Sequence, residues 1–463
     1  MWKQEVMDIH CHLFNVQYAL KEVAAISWNA LWGNYPHNKK KIREIKAGMK
    51  KRGAWETIEG IGELIAYVAR LMKVALQSPE ANYQTMLDAF RKSDLGMNKQ
   101  LLVAPLMMDI YFAVDDNKSE VDHGQGKRGG DSGDEVNTEM FELDESDIPE
   151  FEKHFDELQN LILEEMGKDG AFDEIQKRSG AGSMASIFES VKDELVAPAS
   201  GMKRKSKSDA YDGIEMSPGY RCHLEELEAL EKKNKGSVFP FLAIDPRRYG
   251  IMKLIEMKVN RANGPFYGVK LYPPLGYLPT HPKLVPVFDY CEANDIPITV
   301  HCSRGGLKNF RKENQVLSTE APVYIENFRN YDNDKSLFYA NPDNWELVLQ
   351  KWNDVRLDLA HFGGGKQLAN DDRVWMDKII AFLRNQTYRN VYTDISYFTE
   401  PGLMEKITGI IQDENIGDYV CFGTDFLMIM LELHLGGLKN YFNKFIPFDQ
   451  ALHIDNAKRF LGI

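Results

Sequence analysis

The chain has 463 residues, of which 43% are hydrophobic and 27% charged, a composition typical of a globular protein with a large core. Its formal net charge of −13 disfavours nucleic acid and anionic membranes as partners, and no run of about 18 apolar residues predicts a membrane span. Five scattered cysteines and the lack of an apolar leader before the first strand argue against a secreted disulfide framework, so we expect a cytoplasmic protein.

The first predicted strand, Val6–His12, carries Asp8, His10 and His12 on one face, because alternate side chains of a strand point the same way. Two neutral imidazoles two residues apart suit a divalent transition metal such as zinc. A single His-X-His pair is equally compatible with a half-buried strand that carries ordinary polar residues. The interpretation therefore depends on the rest of the chain.

A long region of mixed character follows the first strand. Helical spacing covers Ile58–Leu76 and Tyr83–Lys92, and a second buried strand lies near 101–107. Residues 115–147 are rich in Asp, Glu and Gly and poor in large apolar groups, which predicts a mobile loop. The basic run at 203–207 is interpreted as part of a solvated loop, because it is short and the chain is acidic.

From residue 236 onward, strand-like stretches alternate with amphipathic helical ones. The strands are predicted at Ser237–Asp245, Tyr267–Tyr272, Ile298–Cys302, Val355–His361, Val391–Ser396 and Val420–Asp425. This alternation predicts a parallel sheet of the α/β class, and with the two earlier strands the count reaches eight. Eight such units match a (β/α)8 TIM barrel.

The barrel hypothesis assigns the two long early connections to insertions. We expect a helical insertion at 14–82 and a partly disordered, partly helical one at 112–220. Loops that follow barrel strands build the active-site face, so these insertions would at least partly cap the barrel mouth. Residues 236–463 would then hold barrel repeats 3–8, within one barrel that spans 1–463.

Ionisable side chains recur where the predicted strands end. They are His10, His12, Lys270, His301, His361 and Asp425. Because the carboxyl ends of barrel strands converge on one face, this set predicts a metal or proton-transfer site. Structural alternatives stay open: His301 as a core histidine, Asp425 as a helix N-cap, and Lys270 with its amine paired to Asp425. Arg304 is a candidate clamp for a substrate carboxylate or a member of a surface ion pair, and Tyr272 is a weaker substrate-binding candidate.

These strand ends resemble those of the amidohydrolase superfamily of metal-dependent barrel hydrolases. The matching pieces are DIHCH at 8–12, GVKLYPP at 268–274, VHC at 300–302, AHFGGG at 360–365, GTDF at 423–426 and NAKRFLGI at 456–463. The resemblance covers residues 1–14 and about 236–463. Within the superfamily it is strongest to the branch that holds amidohydrolase-type hydrolases and metal-dependent aromatic-acid decarboxylases.

The resemblance implies that His10, His12, His301 and Asp425 bind a first metal, most often Zn²⁺, although another divalent ion is compatible. His361 would polarise the substrate or bind a second metal. Lys270 is similar to the lysine that is carboxylated and bridges two metals in binuclear members. In the favoured branch that lysine is often unmodified and one metal suffices, so one or two ions are both compatible with the sequence.

Three functions compete. The leading hypothesis is a hydrolase in which metal-activated water attacks an amide, lactone or ester carbonyl of a small molecule. Asp425 would transfer the proton, and His361, Lys270 or the metal would stabilise the oxyanion. The alternatives are a decarboxylase of an aromatic or unsaturated acid with Arg304 as the carboxylate clamp, and a non-catalytic barrel that serves as an interaction platform. The sequence is compatible with a homo-oligomer and does not identify the substrate.

Overall fold

The computed structural model contains ten strands within the residues that it describes, which are 4–31, 60–114, 141, 143, 145–168, 181–197, 214, 216–311, 314–319, 323–325, 334–433 and 437–463. The strands are β1 (Gln4–Cys11), β2 (Lys99–Pro105), β3 (Phe241–Ile244), β4 (Gly268–Leu271), β5 (Ile298–His301), β6 (Asn314–Val316), β7 (Val323–Ile325), β8 (Leu357–Ala360), β9 (Val391–Asp394) and β10 (Val420–Cys421). The basic run at 203–207 and most of the acidic stretch 115–147 lie outside the described residues.

Eight of these strands are parallel and form a ring. The order β3-β4-β5-β8-β9-β10 makes one sheet, and β1 pairs with β2. Bridges between Val103 and Val238 and between Leu106 and Phe241 join β2 to β3, while Ile9 N donates to Phe422 O at 3.0 Å beside β10. The predicted barrel is therefore confirmed, with β6 and β7 as an antiparallel hairpin outside the ring.

Helices fill most of the connections. They are α1 (Val16–Leu31), α2 (Ile61–Leu71), α3 (Pro79–Arg91), α4 (Ile148–Lys168), α5 (Ala181–Val196), α6 (Pro218–Lys233), α7 (Ile251–Lys258), α8 (Val285–Ala293), α9 (Asp334–Tyr339), α10 (Glu346–Lys351), α11 (Gly365–Ala369), α12 (Val374–Arg384), α13 (Leu403–Asp413), α14 (Gly437–Asn443) and α15 (Asn456–Leu461). Among the described residues, no helix combines the length and apolar character that crossing a bilayer requires.

The connections that follow β1 and β2 carry helices α1 to α6, which pack on one another. Their contacts with the barrel fall at strand ends. Tyr220 Oη in α6 donates to Ala243 O in β3 at 2.6 Å, and His223 Nδ1 lies 3.3 Å from Met108 O just after β2. Helix α6 is thereby fixed against the edge of the barrel to which the predicted site residues belong.

The outer face of the first strands is covered by the last helix. Met7 and Ile9, which alternate with His10, pack in one buried cluster with Phe460 and Leu461 of α15. Because alternate residues of β1 face opposite ways, His10 then points to the other side, into the ring. Helix α15 therefore covers the outer face of strand β1, which carries His10 on its inner face.

Candidate metal centre

The end of β1 is tied to the segment after β10 through Asp8. Its Oδ1 accepts from His10 N at 3.0 Å and from Thr424 N at 3.1 Å, and its Oδ2 accepts from Thr424 Oγ1 at 2.5 Å. A side chain on Gly423 would place Cβ 2.9 Å from His10 Cβ, so only glycine permits this approach of the two segments. Asp8 therefore links the two segments and brings Asp425 beside His10.

His10, His12 and Asp425 form one group of potential ligands. Asp425 Oδ1 lies 3.2 Å from His12 Nε2 and 3.7 Å from His10 Nε2. The three ligand atoms fall within 4.8 Å of one another, and all three residues are buried. The sequence predicted this convergence from residues more than 400 positions apart.

His301 and His361 extend the group. His361 Nε2 lies 3.2 Å from His301 Nδ1, and the His361 ring centroid is 4.4 Å from that of His10. His361 and Asp425 have left-handed φ angles of 67° and 57°, which are costly for residues with a Cβ. Strained backbone of this kind concentrates at functional sites, and here it turns both side chains toward the same volume.

The outer nitrogens of His12 and His301 face backbone carbonyls. His12 Nδ1 is 2.9 Å from Leu106 O, and His301 Nε2 is 3.2 Å from Gly305 O, with Ser303 Oγ at 3.3 Å as a second contact. Since a carbonyl oxygen only accepts, each of these nitrogens carries the proton. In a neutral ring the inward nitrogen, His12 Nε2 or His301 Nδ1, then carries a lone pair.

His10 and His361 are also held through Nδ1, in their case by side chains rather than by backbone carbonyls. His10 Nδ1 lies 2.7 Å from Asp394 Oδ2, and His361 Nδ1 lies 2.8 Å from Ser396 Oγ. The Ser396 hydroxyl donates to Asp394 Oδ1, so its oxygen accepts from His361. Both Nε2 atoms consequently present lone pairs to the interior of the cluster.

Electrostatics favour neutral imidazoles beside an ionised carboxylate. Burial lowers the pKa of His10 to about 3 and that of His361 below its usual value, and burial with the neighbouring His361 and Lys270 lowers the pKa of His301 well below the usual range. Burial opposes ionisation of Asp425, but His12, His10 and His361 together hold its pKa below normal. Neutral imidazole and carboxylate are the protonation states that bind metals.

The donor set fits a divalent cation. His10, His12 and Asp425 place their potential ligand atoms within 4.8 Å of one another, and His361 and His301 lie buried beside them. Lone pairs 3.2 Å apart, as on His361 and His301, repel each other unless a cation or proton lies between them. Nitrogen and carboxylate ligands in this number suit Zn²⁺ and other first-row divalent ions.

A cavity opens beside this group on the side of β2, β3 and β4. It is lined by His12, Met107, Met108, Asp109, Ala243, Ile244, Asp245, Lys270, Tyr272, Leu275 and Leu307. Lys270 Nζ is buried without a hydrogen-bond partner among the described residues, and burial lowers its pKa to about 8. Tyr272 stacks on His301 with ring centroids 4.5 Å apart, and Gly306 makes room for it. Lys270 and Tyr272 thus line this cavity, whereas the alternative pairing of Lys270 with Asp425 is not formed.

Arg304 is not part of the cluster. Its guanidinium forms an ion pair with Asp372 and lies 5.2 Å from the Trp375 ring centroid. The side chains of Arg304 and Asp372 are 26% and 32% exposed. Of the two interpretations that the sequence left open, the structure shows the ion pair near the surface, and the carboxylate clamp stays a prediction.

The amidohydrolase family model matches residues 229–463, which is just over half of the chain. The chain belongs to the amidohydrolase family. No curated protein sequence matches it.

Solved structures similar to this amidohydrolase include an uncharacterised TIM-barrel protein from Bordetella bronchiseptica (20% identity, 51% of this chain and 71% of that chain, TM-score 0.34). Others are a probable 2-pyrone-4,6-dicarboxylic acid hydrolase from Acinetobacter baumannii (13%, 52% and 78%, 0.35) and a 5-carboxyvanillate decarboxylase from Novosphingobium aromaticivorans complexed with manganese (12%, 52% and 68%, 0.31). TM-scores at this level carry no functional information, so the family assignment depends on the sequence match alone.

Sequence reasoning missed three residues of this amidohydrolase's site. Asp394 and Ser396 support His10 and His361, and Asp358 in β8 lies buried among the charges of Lys270 and Asp394. The only signal for Asp394 was its place near the end of the predicted strand Val391–Ser396, a signal similar to the one that singled out His301 and Asp425. Asp358 lies within its strand and had no comparable signal.

Proposed function

We propose that this amidohydrolase is a metal-dependent hydrolase that cleaves an amide, lactone or ester bond of a small molecule. The observation that carries the proposal is the buried group of His10, His12 and Asp425, whose potential ligand atoms lie within 4.8 Å of one another, with His361 packed against His10 and His301 against His361. A cytoplasmic location and Zn²⁺ as the resident ion belong to the same proposal.

His10, His12, His301 and Asp425 would hold the ion, and His361 lies close enough to join them or to contact substrate. A bound divalent ion supplies Lewis-acid chemistry, which acidifies water and polarises a carbonyl. Asp425 would be ionised, because its neighbours hold its pKa below normal, and it lies beside His10 and His12. We assign it the role of accepting a proton from water. The same carboxyl would then pass the proton to the leaving group.

Lys270 and Tyr272 would act on the substrate itself. The Lys270 amine enters the cavity beside His12, where a cation stabilises the negative charge that develops on the carbonyl oxygen. Tyr272 and the apolar lining of Met107, Leu275 and Leu307 would exclude water and orient a small molecule.

A decarboxylase remains the second candidate within the family. Its sequence cue was Arg304 as a carboxylate clamp, and Arg304 is instead engaged by Asp372. The geometry therefore favours hydrolysis over loss of carbon dioxide.

Metal content and turnover test the proposal together. Protein purified without chelator should contain about one zinc or similar ion per chain and should hydrolyse members of a panel of amides, lactones and esters without releasing carbon dioxide from aromatic acids. Asp425→Asn should lower kcat by about 10²- to 10⁴-fold, the range typical for loss of a general acid–base group.

The matched control is Asp372→Asn, which removes a carboxylate outside the cluster and should leave kcat unchanged. Metal content well below one per chain would favour the interaction platform. Carbon dioxide release without any hydrolysis would favour the decarboxylase.

A further inference from the structure

We propose that Asp394 and Ser396 form a positioning pair that sets the protonated nitrogen of two site histidines at once. Asp394 ends β9, a strand that contributes none of the proposed ligands, and both residues are fully buried. The inference deepens the proposed function, since it concerns how the same site keeps its imidazoles ready for a cation. Asp394 and Ser396 act through His10 and His361 and do not themselves touch substrate.

The first branch of the pair is direct. Asp394 Oδ2 lies 2.7 Å from His10 Nδ1, and Asp394 Oδ1 accepts from His361 N and Ser396 N, so both carboxyl oxygens serve as acceptors in a buried site. An ionised carboxylate only accepts hydrogen bonds, so His10 must be protonated on Nδ1. Its Nε2 then faces Asp425 as a lone pair, 3.7 Å from Oδ1.

The second branch runs through a hydroxyl. Ser396 Oγ contacts Asp394 Oδ1 and lies 2.8 Å from His361 Nδ1. Because the carboxylate takes the hydroxyl proton, the Ser396 oxygen is left to accept from His361, which fixes that imidazole with Nδ1–H and a free Nε2. One buried charge therefore determines the orientation of two rings whose centroids lie 4.4 Å apart.

The same contacts argue that Asp394 is not itself a ligand. Its Oδ1 also accepts from His361 N at 3.1 Å and from Ser396 N at 3.0 Å. With the Ser396 hydroxyl, three donors surround this oxygen, and His10 occupies the other. A carboxylate has about four acceptor sites, so few remain for a cation. A second ion held by His10, His361 and Asp394 is the competing arrangement.

Asp394→Asn distinguishes these two arrangements, because an amide has only one accepting oxygen and cannot accept hydrogen bonds from both His10 and the donors around Oδ1. If its oxygen keeps the three donors around Oδ1, its NH₂ group faces His10 Nδ1, and His10 must move its proton to Nε2. If the amide is reversed, its NH₂ group meets two backbone N–H groups. The first arrangement is the less costly one, and it removes the lone pair that faces Asp425.

The experiment measures tautomers and metal affinity in the full-length protein. Two-dimensional ¹H–¹⁵N spectra of chelator-treated, ¹⁵N-histidine-labelled protein should show His10 and His361 protonated on Nδ1, with assignments from His10→Gln and His361→Gln. Asp394→Asn should move the His10 proton to Nε2 and weaken Zn²⁺ and Mn²⁺ binding, measured by chelator competition, about 10- to 100-fold. Ser396→Ala should alter the His361 tautomer and leave His10 on Nδ1.

Thr393→Val is the matched control, because it removes one buried hydrogen bond, to Leu359 O, from the same strand without touching an imidazole. It should change neither tautomers nor affinity. Unaltered tautomers and affinity in Asp394→Asn overturn the positioning pair, and loss of one of two bound ions assigns Asp394 as a ligand instead. If wild-type protein binds no metal, the proposed function is wrong. The tautomers of His10 and His361 in Asp394→Asn still show whether the positioning pair exists.

Discussion

At the scale of single residues, the orientation of the site histidines is set by hydrogen-bond acceptors that lie outside the group of potential ligands. Leu106 O and Gly305 O hold one nitrogen each, and the Asp394–Ser396 pair holds two more. Such outer partners fix ring orientation and raise ligand basicity. They also explain how four imidazoles pack closely in a buried site, because each ring is held through the nitrogen that points away from the others.

Arg304 provides a residue-scale prediction. Arg304→Met should leave kcat/KM for a carboxylate-bearing substrate within about twofold of wild type, because the guanidinium pairs with Asp372 away from the cluster. The melting temperature should shift little, since partly exposed ion pairs contribute about 0–1 kcal/mol. Steady-state kinetics and thermal melting measure both effects. Asp372→Asn removes the other partner of the same ion pair and should have the same small effects. A tenfold loss of kcat/KM in Arg304→Met alone would show that Arg304 binds the substrate carboxylate.

The sequence identified the inward-facing residues because their types and strand-end positions carry the signal. Residues such as His301 and Asp425 end strands of a recognisable barrel, and barrel geometry forces strand ends together. Backbone acceptors such as Gly305 O have no sequence signature, since any residue supplies a carbonyl. Asp394 had the right position, but a lone aspartate after a strand is as common in turns as in sites.

At the scale of elements, two strand ends adopt costly backbone to aim their side chains. His361 and Phe362 have φ angles of 67° and 45°, and Asp425 has 57°. Such residues cost on the order of 1–3 kcal/mol each and persist where surrounding contacts hold them. Here His361 N donates to Asp394 at 3.1 Å and Asp425 N donates to His10 O at 2.6 Å. The site is thus stabilised by contacts between strands rather than within them.

Helix α1 leads to an element-scale prediction through Glu22. This buried carboxyl accepts from Ser217 Oγ at 2.7 Å and from Tyr220 N at the start of α6, and burial raises its pKa from 4.5 to about 8. A carboxyl with a higher pKa in the folded state binds more protons when folded, so stability should fall as pH rises from about 4.5 to about 8. Glu22→Gln keeps the accepting oxygen and should reduce that slope.

Thermal melting from pH 5 to pH 8 measures the effect. Asp8 contributes a slope of the same sign, because burial raises its pKa to about 8, so Glu22→Gln should flatten the profile only in part. The exposed Glu225→Gln in α6 is the control and should leave the wild-type slope intact. A profile for Glu22→Gln that coincides with wild type would show that Glu22 is ionised throughout.

Elements with strong periodicity were predictable and weakly patterned ones were not. The predicted strand Val391–Ser396 contains β9, and the helical spacing predicted at Tyr83–Lys92 overlaps α3. The hairpin of β6 and β7 and the eight-residue α7 were missed, because three-residue strands and short helices offer too few positions for a period to show. Helix α5 forms in a stretch of small and polar residues, where tertiary contacts outweigh weak local preference.

At the scale of the whole molecule, the barrel and the helices that follow β1 and β2 share one core. Val23 of α1, Leu224 of α6 and Val269 of β4 belong to the same buried cluster. A buried ion pair between Arg248, after β3, and Asp109, after β2, lies against α6, where Arg248 is 3.5 Å from the Tyr220 ring centroid. The expected insertions are therefore proposed to be integral to a single barrel domain rather than separate caps.

Cooperative unfolding tests this proposal. Calorimetry should show one transition for wild type, because no boundary in the shared core lets the inserted helices melt alone. Leu224→Ala should lower the unfolding free energy by about 2–5 kcal/mol while keeping one transition, since it opens a cavity between α6 and its neighbours. Leu347→Ala, at a side chain 53% exposed, should change little. Two resolved transitions, with only the first shifted by Leu224→Ala, would mean that the helices form an independent cap.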